Sequence, residues 1–254
     1  MTIHLPELSG LVLVYLLVFA RIGAMIMLLP AIGQAGIPPR VRLLLALAIT
    51  VAFAPTVAVN YPTTAPATTL QLGLLIVQEV TCGLLVGAMS SIIMSALQVA
   101  GYVIATQTGL AYAQTIDPTQ GTQGAIVGTF ISMLGATLIF ATDLHHLAIG
   151  AIAGSYRLLP PGGELPTGDM AELTIRLVSG SFALGFQLSA PFLVFSFATT
   201  AAIGVLARLM PQLQVFFLAT PVNIMTGFLL MMLILGTMMT VFLNYYATSM
   251  GSFL

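Results

Sequence analysis

The chain has 254 residues, of which 59% are hydrophobic and 5% charged, and its formal net charge is −1. A soluble globular domain carries about 25% charged residues, so this composition excludes an ordinary cytosolic fold and points to a polytopic membrane protein. Lysine is absent, and no polybasic stretch exists to hold nucleic acid or an anionic surface.

The opening segment MTIHLPELSG has no lysine or arginine ahead of the first apolar run. A cleaved secretory signal needs a basic start, so the first hydrophobic segment is expected to be retained. That run covers 9–32 and holds Arg21 at its middle. "GQAGIPPRVR" (33–42) follows, then a second run at 41–59 and the break "NYPTTAPATT" at 60–69. The third run, 70–106, contains Glu79, the single Cys82 and Gly83, Gly87 and Gly101. A charge at mid-membrane depth costs about 2.5–3.5 kcal/mol on the insertion scale, so it faces a water-filled cavity or finds a partner. Arg21 and Glu79 are therefore either pore-lining or pairing groups, and the pairing reading is favoured. Cys82, alone in an apolar run, implies neither a disulfide nor a metal site.

Segment 107–124, "QTGLAYAQTIDPTQGTQG", is rich in Gly, Gln and Thr and embeds Leu110, Tyr112 and Ile116 beside Asp117-Pro118. Non-helical backbone at membrane depth survives only when buried in protein or facing an aqueous cavity. The segment is an exposed loop or a plug at a conduit, and composition alone favours the loop. The fourth run, 124–153, ends in "ATDLHHLAIG". His145 and His146 are adjacent, so on a helix their side chains diverge by about 100° and do not suit one metal as an i, i+4 pair would. Asp143, His145 and His146 are read as a helix-end polar patch. With no H-E-x-x-H and no G-x-S-x-G in the chain, no catalytic, cofactor or metal residue is assigned.

The break "SYRLLPPGGELPTGDMAE" (155–172) follows, and in it Asp169 and Glu172 have the spacing of a helix-starting capping box. The last two runs are 173–206, with Pro191 inside, and 213–247. Runs of about 35 residues make helices of about 50 Å against about 30 Å of hydrocarbon. Kinked or projecting helices are expected, with Gly83, Gly87, Gly101 and Pro191 as places to bend. Three small-xxx-small pairs, Gly83/Gly87, Gly124/Gly128 and Gly150/Gly154, suit close helix packing, within the chain or with other subunits. Arg40, Arg42 and Arg208 fall on one side of a six-span topology, and Arg157 and Arg176 on the other. The imbalance leans toward both termini lying outside the cytoplasm. The fold class is thus all-α, with about six long hydrophobic segments and no soluble domain.

Between the last two runs stands "GVLARLMPQLQVFFLATPVNI", Gly204 to Ile224. It closely resembles the late signature of the FliR family of flagellar biosynthetic proteins, an apolar helix, an A-R-x-x-P-Q-x-Q-x-F turn and a P-x-N-I helix. "RIGAMIMLLPAIGQAGIPPRVRLLLALAIT" (21–50) is similar to the family's early pattern as well. The resemblance implies a core subunit of the flagellar type III protein export gate in the bacterial inner membrane, at the flagellar basal body, with its core raised toward the periplasm. The implied partners are FliP, FliQ and FlhB homologues and unfolded flagellar subunits in transit. It also implies a FliP-like part over about 1–172 followed by a FliQ-like helical hairpin over about 173–254. Leu110, Tyr112, Ile116 and Asp117 then belong to a plug loop, which reverses the reading from composition. Arg208, Pro211, Gln212 and Gln214 then lie at the cytoplasmic entrance, against FlhB. Two rivals remain: the equivalent subunit of a virulence injectisome, and a small-solute transporter acting alone. Such transporters often carry internal repeats with interrupted helices in matching positions, and no such repeat is evident here.

Overall fold

The computed structural model describes residues 5–30, 32–33, 36–61, 68–110, 125–164, 166–210 and 215–251, with the side chains of 5–9, 125 and 215–218 left aside. Seven α-helices account for most of them: α1 (Leu5–Leu28), α2 (Pro39–Val57), α3 (Thr69–Gln107), α4 (Ala125–Ala141), α5 (His145–Leu158), α6 (Thr167–Leu209) and α7 (Val215–Gly251). No strand occurs among the described residues. Five helices are long and apolar enough to cross a membrane, or six spans if the bent pair α4 and α5 counts as one. The chain is an all-α polytopic membrane protein.

Local chemistry sets most of the helix ends. Pro38 is extended (φ −56°, ψ 139°), and Pro39 opens α2, where a missing N–H costs nothing. The far end of α2 tightens into a single 3₁₀ turn, Ala58–Asn60. Tyr61 is then extended, as a residue before proline must be (φ −90°, ψ 144°). At the end of α3, Gly109 takes the left-handed conformation (φ 82°) that stops a helix.

The run 124–153 is a broken span, in keeping with the kinked helices expected from the sequence: α4 and α5 meet at 76°. Asp143, at φ 59°, turns the chain in a conformation that few residues other than Gly, Asn and Asp adopt. The second helix also runs on through Ser155, Tyr156 and Arg157, which the sequence placed in a break. The capping box expected at Asp169 and Glu172 is not formed. Helix α6 begins at Thr167, so Asp169 lies within its first turn, and the Glu172 carboxylate instead accepts from Arg176 one turn later.

The chain divides into two compact units. The first comprises Met1–Ile93, Ile139–Leu177 and Tyr246–Leu254. Its core gathers Val18, Ile22 and Met25 of α1, Val86 and Ile93 of α3, and Ala151 and Ile152 of α5. Helix α2 packs on α1 and touches α5. Helices α1 and α3 run side by side at glycines. A Cβ on Gly83 would strike the Arg21 carbonyl oxygen, and one on Gly87 would come within 2.7 Å of the Met25 carbonyl oxygen and 2.9 Å of Leu28 Cβ. Ser90 of α3 and Tyr246 of α7 share a buried hydrogen bond of 3.0 Å.

The second unit comprises Met94–Leu138 and Val178–Tyr245. Leu97 and Ile104 of α3, Ile131 of α4, Leu188 and Phe192 of α6, and Phe242 of α7 are buried in it. Gly101 of α3 lies directly on the backbone of Gly128 of α4. Gly185 of α6 would, with a Cβ, reach within 2.9 Å of Val99 on α3, and Gly180 admits the Tyr245 hydroxyl of α7. Gly101, which the sequence offered as a bend, lies within a helix unbroken from Thr69 to Gln107 and serves a close approach instead.

Candidate functional site

Arg21 is the largest fully buried side chain of the chain's described core, 1% exposed, and Glu79 is equally closed at 1%. Helix α1 carries the arginine and α3 the glutamate, and the glycine crossing one turn beyond Glu79 brings the two backbones near enough for the side chains to meet. The contact is bidentate: Arg21 Nε donates to Glu79 Oε2 at 2.6 Å and Nη2 to Oε1 at 3.1 Å. Such fork-to-fork pairs are the strong form of the charge-assisted hydrogen bond.

Helix α5 closes the remaining sides. Arg21 Nη1 donates to Ser155 Oγ at 3.2 Å, and Nη2 donates also to the Leu159 carbonyl at 3.0 Å. The guanidinium carbon sits 4.0 Å above the Tyr156 ring, a cation–π contact that gains strength away from water. Tyr61, after α2, meets Tyr156 edge to face with ring centroids 6.1 Å apart, and its hydroxyl donates to the Tyr156 hydroxyl at 3.5 Å. Burial raises the Tyr61 pKa above the ordinary phenol value, so the proton stays available for donation. One arginine thus ties α1, α3 and α5 together. The sequence singled out Arg21 and Glu79 but not Ser155, Tyr156 or Tyr61. The signal was the polar trio Ser155-Tyr156-Arg157 at the end of an apolar helix.

A second polar feature lies within the second unit. A cavity of about 360 Å³ is lined by Thr106, Gln107, Ser196, Thr199 and Asn223 among others, with no charged side chain among the described residues of its wall. It lies where the end of α3 meets the later part of α6 and the early part of α7.

The remaining sequence-selected residues divide. Gly83 and Gly87 face α1, and Gly128 faces Gln98 of α3, where an added Cβ would lie 2.8 Å from the amide oxygen. Gly154 is buried in α5. Leu110 is half-buried just past α3, and Arg208 is exposed in the last turn of α6. Tyr112, Ile116, Asp117, Gly124, Pro211, Gln212 and Gln214 lie outside the described residues.

At the α4–α5 elbow, the geometry departs from the expectation for adjacent histidines. The His145 and His146 ring centroids are 4.1 Å apart. Within a helix, the preceding turn blocks many rotamers. His145 opens α5 after a turn at 142–144 rather than a full helical turn, and its ring stacks on Phe140 of α4 as well as leaning on His146.

Comparison with known proteins adds the following. The model of the family described as bacterial export proteins, family 1, matches residues 12–249. The chain is 42% identical over 230 residues to the flagellar biosynthetic protein FliR of Caulobacter vibrioides, covering 91% of each. It is 28% identical over 240 residues to the FliR of Bacillus subtilis, covering 92% of this chain and 90% of that one. A protein named Yop proteins translocation protein T, from Yersinia pestis, is 27% identical over 171 residues, covering 66% of this chain and 65% of its own.

Proposed function

This chain belongs to family 1 of the bacterial export proteins, and on that premise we propose that it is a core subunit of the flagellar type III protein export gate. In this reading it assembles with FliP and FliQ homologues into a channel in the inner membrane. FlhB lies at the cytoplasmic mouth, and unfolded flagellar subunits pass through the centre. The chain carries no chemistry of its own in this role. Residues 1–172 form the FliP-like part and 173–254 the FliQ-like hairpin. The contacts of early α6 with late α7, and of late α6 with early α7, support an antiparallel hairpin.

One observation carries the proposal beyond family membership. Helix α6 has 43 residues, yet only 6% of its most apolar stretch is buried within the chain. At 1.5 Å per residue it is about 65 Å long, roughly twice the hydrocarbon thickness. Lipid covers about half of such a helix, and other protein surfaces must cover the rest. Phe182, Phe186, Val194 and Phe197, all exposed along it, are the side chains a neighbouring subunit would take up.

Arg208 and the turn Pro211, Gln212 and Gln214 make the cytoplasmic entrance in this account, and the motivation is a polar turn between two apolar helices. A strain lacking the chain should lose secretion of flagellar subunits and regain it on complementation with the wild type. Arg208→Glu should accumulate normally and fail to restore secretion. Full restoration by Arg208→Glu would remove the entrance from the account. The injectisome reading has the Yersinia relative in its favour, at lower identity and coverage. Loss of effector secretion with flagellar export intact would establish it.

Leu110, Tyr112, Ile116 and Asp117 form the plug that keeps the idle channel closed. A hole that passes an unfolded chain would leak ions, at about 2.3 kcal/mol per charge across 100 mV. Gly109, already in the left-handed conformation, supplies the hinge where the plug leaves α3. Deleting 110–117 from the assembled gate should raise its conductance in planar bilayers while some export persists. Equal conductance with and without 110–117 would return the segment to an ordinary loop.

A further inference from the structure

Three ligand-bearing side chains meet at the elbow between α4 and α5, away from the Arg21–Glu79 pair. The Asp143 carboxylate and ring nitrogens of His145 and His146 all lie within 4.8 Å of one another. Asp143 Oδ1 is 3.9 Å from His146 Nδ1. Donors in a tetrahedral zinc site sit about 3.4 Å apart, from metal–ligand bonds of about 2.1 Å. The three groups are thus near enough to share one ion, with His146 Nδ1 now at 3.1 Å from the Asp143 carbonyl oxygen.

We propose that Asp143, His145 and His146 form a binding site for a divalent first-row transition metal such as zinc, at the turn that opens α5. Two imidazoles and a carboxylate are the donors that such ions take in preference to magnesium or calcium. Four further observations support the site. Asp143 holds a left-handed conformation, φ 59°, and its carboxylate lies 3.9 Å from a ring nitrogen of His146 in the first turn of α5. The His145 ring is stacked on Phe140, centroids 5.0 Å apart and planes 19° from parallel, so α4 fixes its direction. Its Nδ1 is buried without a hydrogen-bond partner, a cost that natural structures rarely leave unmet. Asp143 and His146 are open, with side chains 79% and 68% exposed, so an ion has access and water can fill the remaining coordination positions. The same exposure keeps this elbow out of the hydrocarbon, where an open carboxylate is costly.

The ligands come from the turn and from α5, while α4 contributes the stacked Phe140. An ion there would tie the turn residue Asp143 to the first residues of α5. The chain has three histidines in all, so His4 is the one other imidazole that could compete.

The test is zinc titration of the full chain, co-purified in detergent with its partner subunits, by competition with a chelating dye. The wild type should take up one more Zn²⁺ per chain than D143N/H145Q/H146Q. Its affinity at that site should exceed the variant's by at least about 100-fold, since losing even an outer-shell partner costs about 10–100-fold. His146→Gln alone, at an exposed position where folding is not at stake, should weaken binding by about tenfold or more. Equal stoichiometry and affinity in the wild type and both variants would overturn the proposal. So would a wild type that takes up no Zn²⁺ at micromolar concentrations.

Discussion

Arg21→Ala is expected to destabilise the chain by about 3–5 kcal/mol, the usual cost of removing one partner from a buried ion pair. The reason lies in what remains. Glu79 would be left at 1% exposure with no cation beside it, either as an unpaired charge or as an acid that must take up a proton. Ser155 Oγ and the Leu159 carbonyl would each lose the guanidinium donor they accept from. A domain's whole stability is about 5–15 kcal/mol, so the variant should accumulate poorly and unfold at lower temperature in detergent. Replacing both residues with apolar side chains of similar volume, Arg21→Met with Glu79→Leu, should recover most of the loss, because two desolvation costs vanish together. Wild-type stability in Arg21→Ala, coupled with lost export, would instead make Arg21 a conduit residue.

Gly83→Leu combined with Gly87→Leu should be nearly as damaging, for a steric reason. Even alanine at position 83 would press its Cβ into the Arg21 carbonyl oxygen, which is backbone and cannot rotate away. Overpacking typically costs about 1–3 kcal/mol per site, and here the displaced helix is the one that carries Arg21. The two perturbations share a contact, so their effects should be non-additive with Arg21→Ala. Gly204 and Gly236 provide the control, since nothing within the chain lies within 4 Å of a Cβ added at either position. Gly236→Ala should leave the chain's own stability unchanged or raise it by about 0.5–1 kcal/mol, the ordinary helix-interior difference. Thermal unfolding of the three variants side by side gives the answer. A Gly83/Gly87 double leucine variant as stable as the wild type would contradict the observed crossing.

The sequence was most legible where a single number decides the matter. A 5% charged content and run lengths beyond a bilayer forced a helical membrane protein, because no other backbone arrangement of such a chain satisfies its hydrogen bonds in lipid. Arg21 and Glu79 stood out for the same reason, as charges in apolar runs. The sequence favoured pairing groups, but not that each is the other's partner: 58 positions separate them, and only tertiary packing brings α1 against α3. Ser155 and Tyr156 escaped notice because the helix that presents them begins at a hidden break. That break depends on the backbone angle of Asp143, to which hydrophobic pattern is blind when both flanks are apolar throughout. Likewise the angular divergence of adjacent histidines holds in mid-helix and fails at a first turn, where side chains have room to converge. The FliR-like motifs spoke to family, and the residues of the late one at 211–214 lie outside the described structure.

In the proposed role this chain is one subunit of a larger gate, and its long apolar helices require protein neighbours. Co-purification decides this: the chain, tagged, is expressed alone and together with FliP and FliQ homologues, then extracted in mild detergent and sized. Co-expression should yield a stable complex containing all three proteins, and expression alone should yield aggregated or protease-sensitive material. A monodisperse, protease-resistant monomer from the chain expressed alone, unchanged when FliP and FliQ are present, would contradict the account.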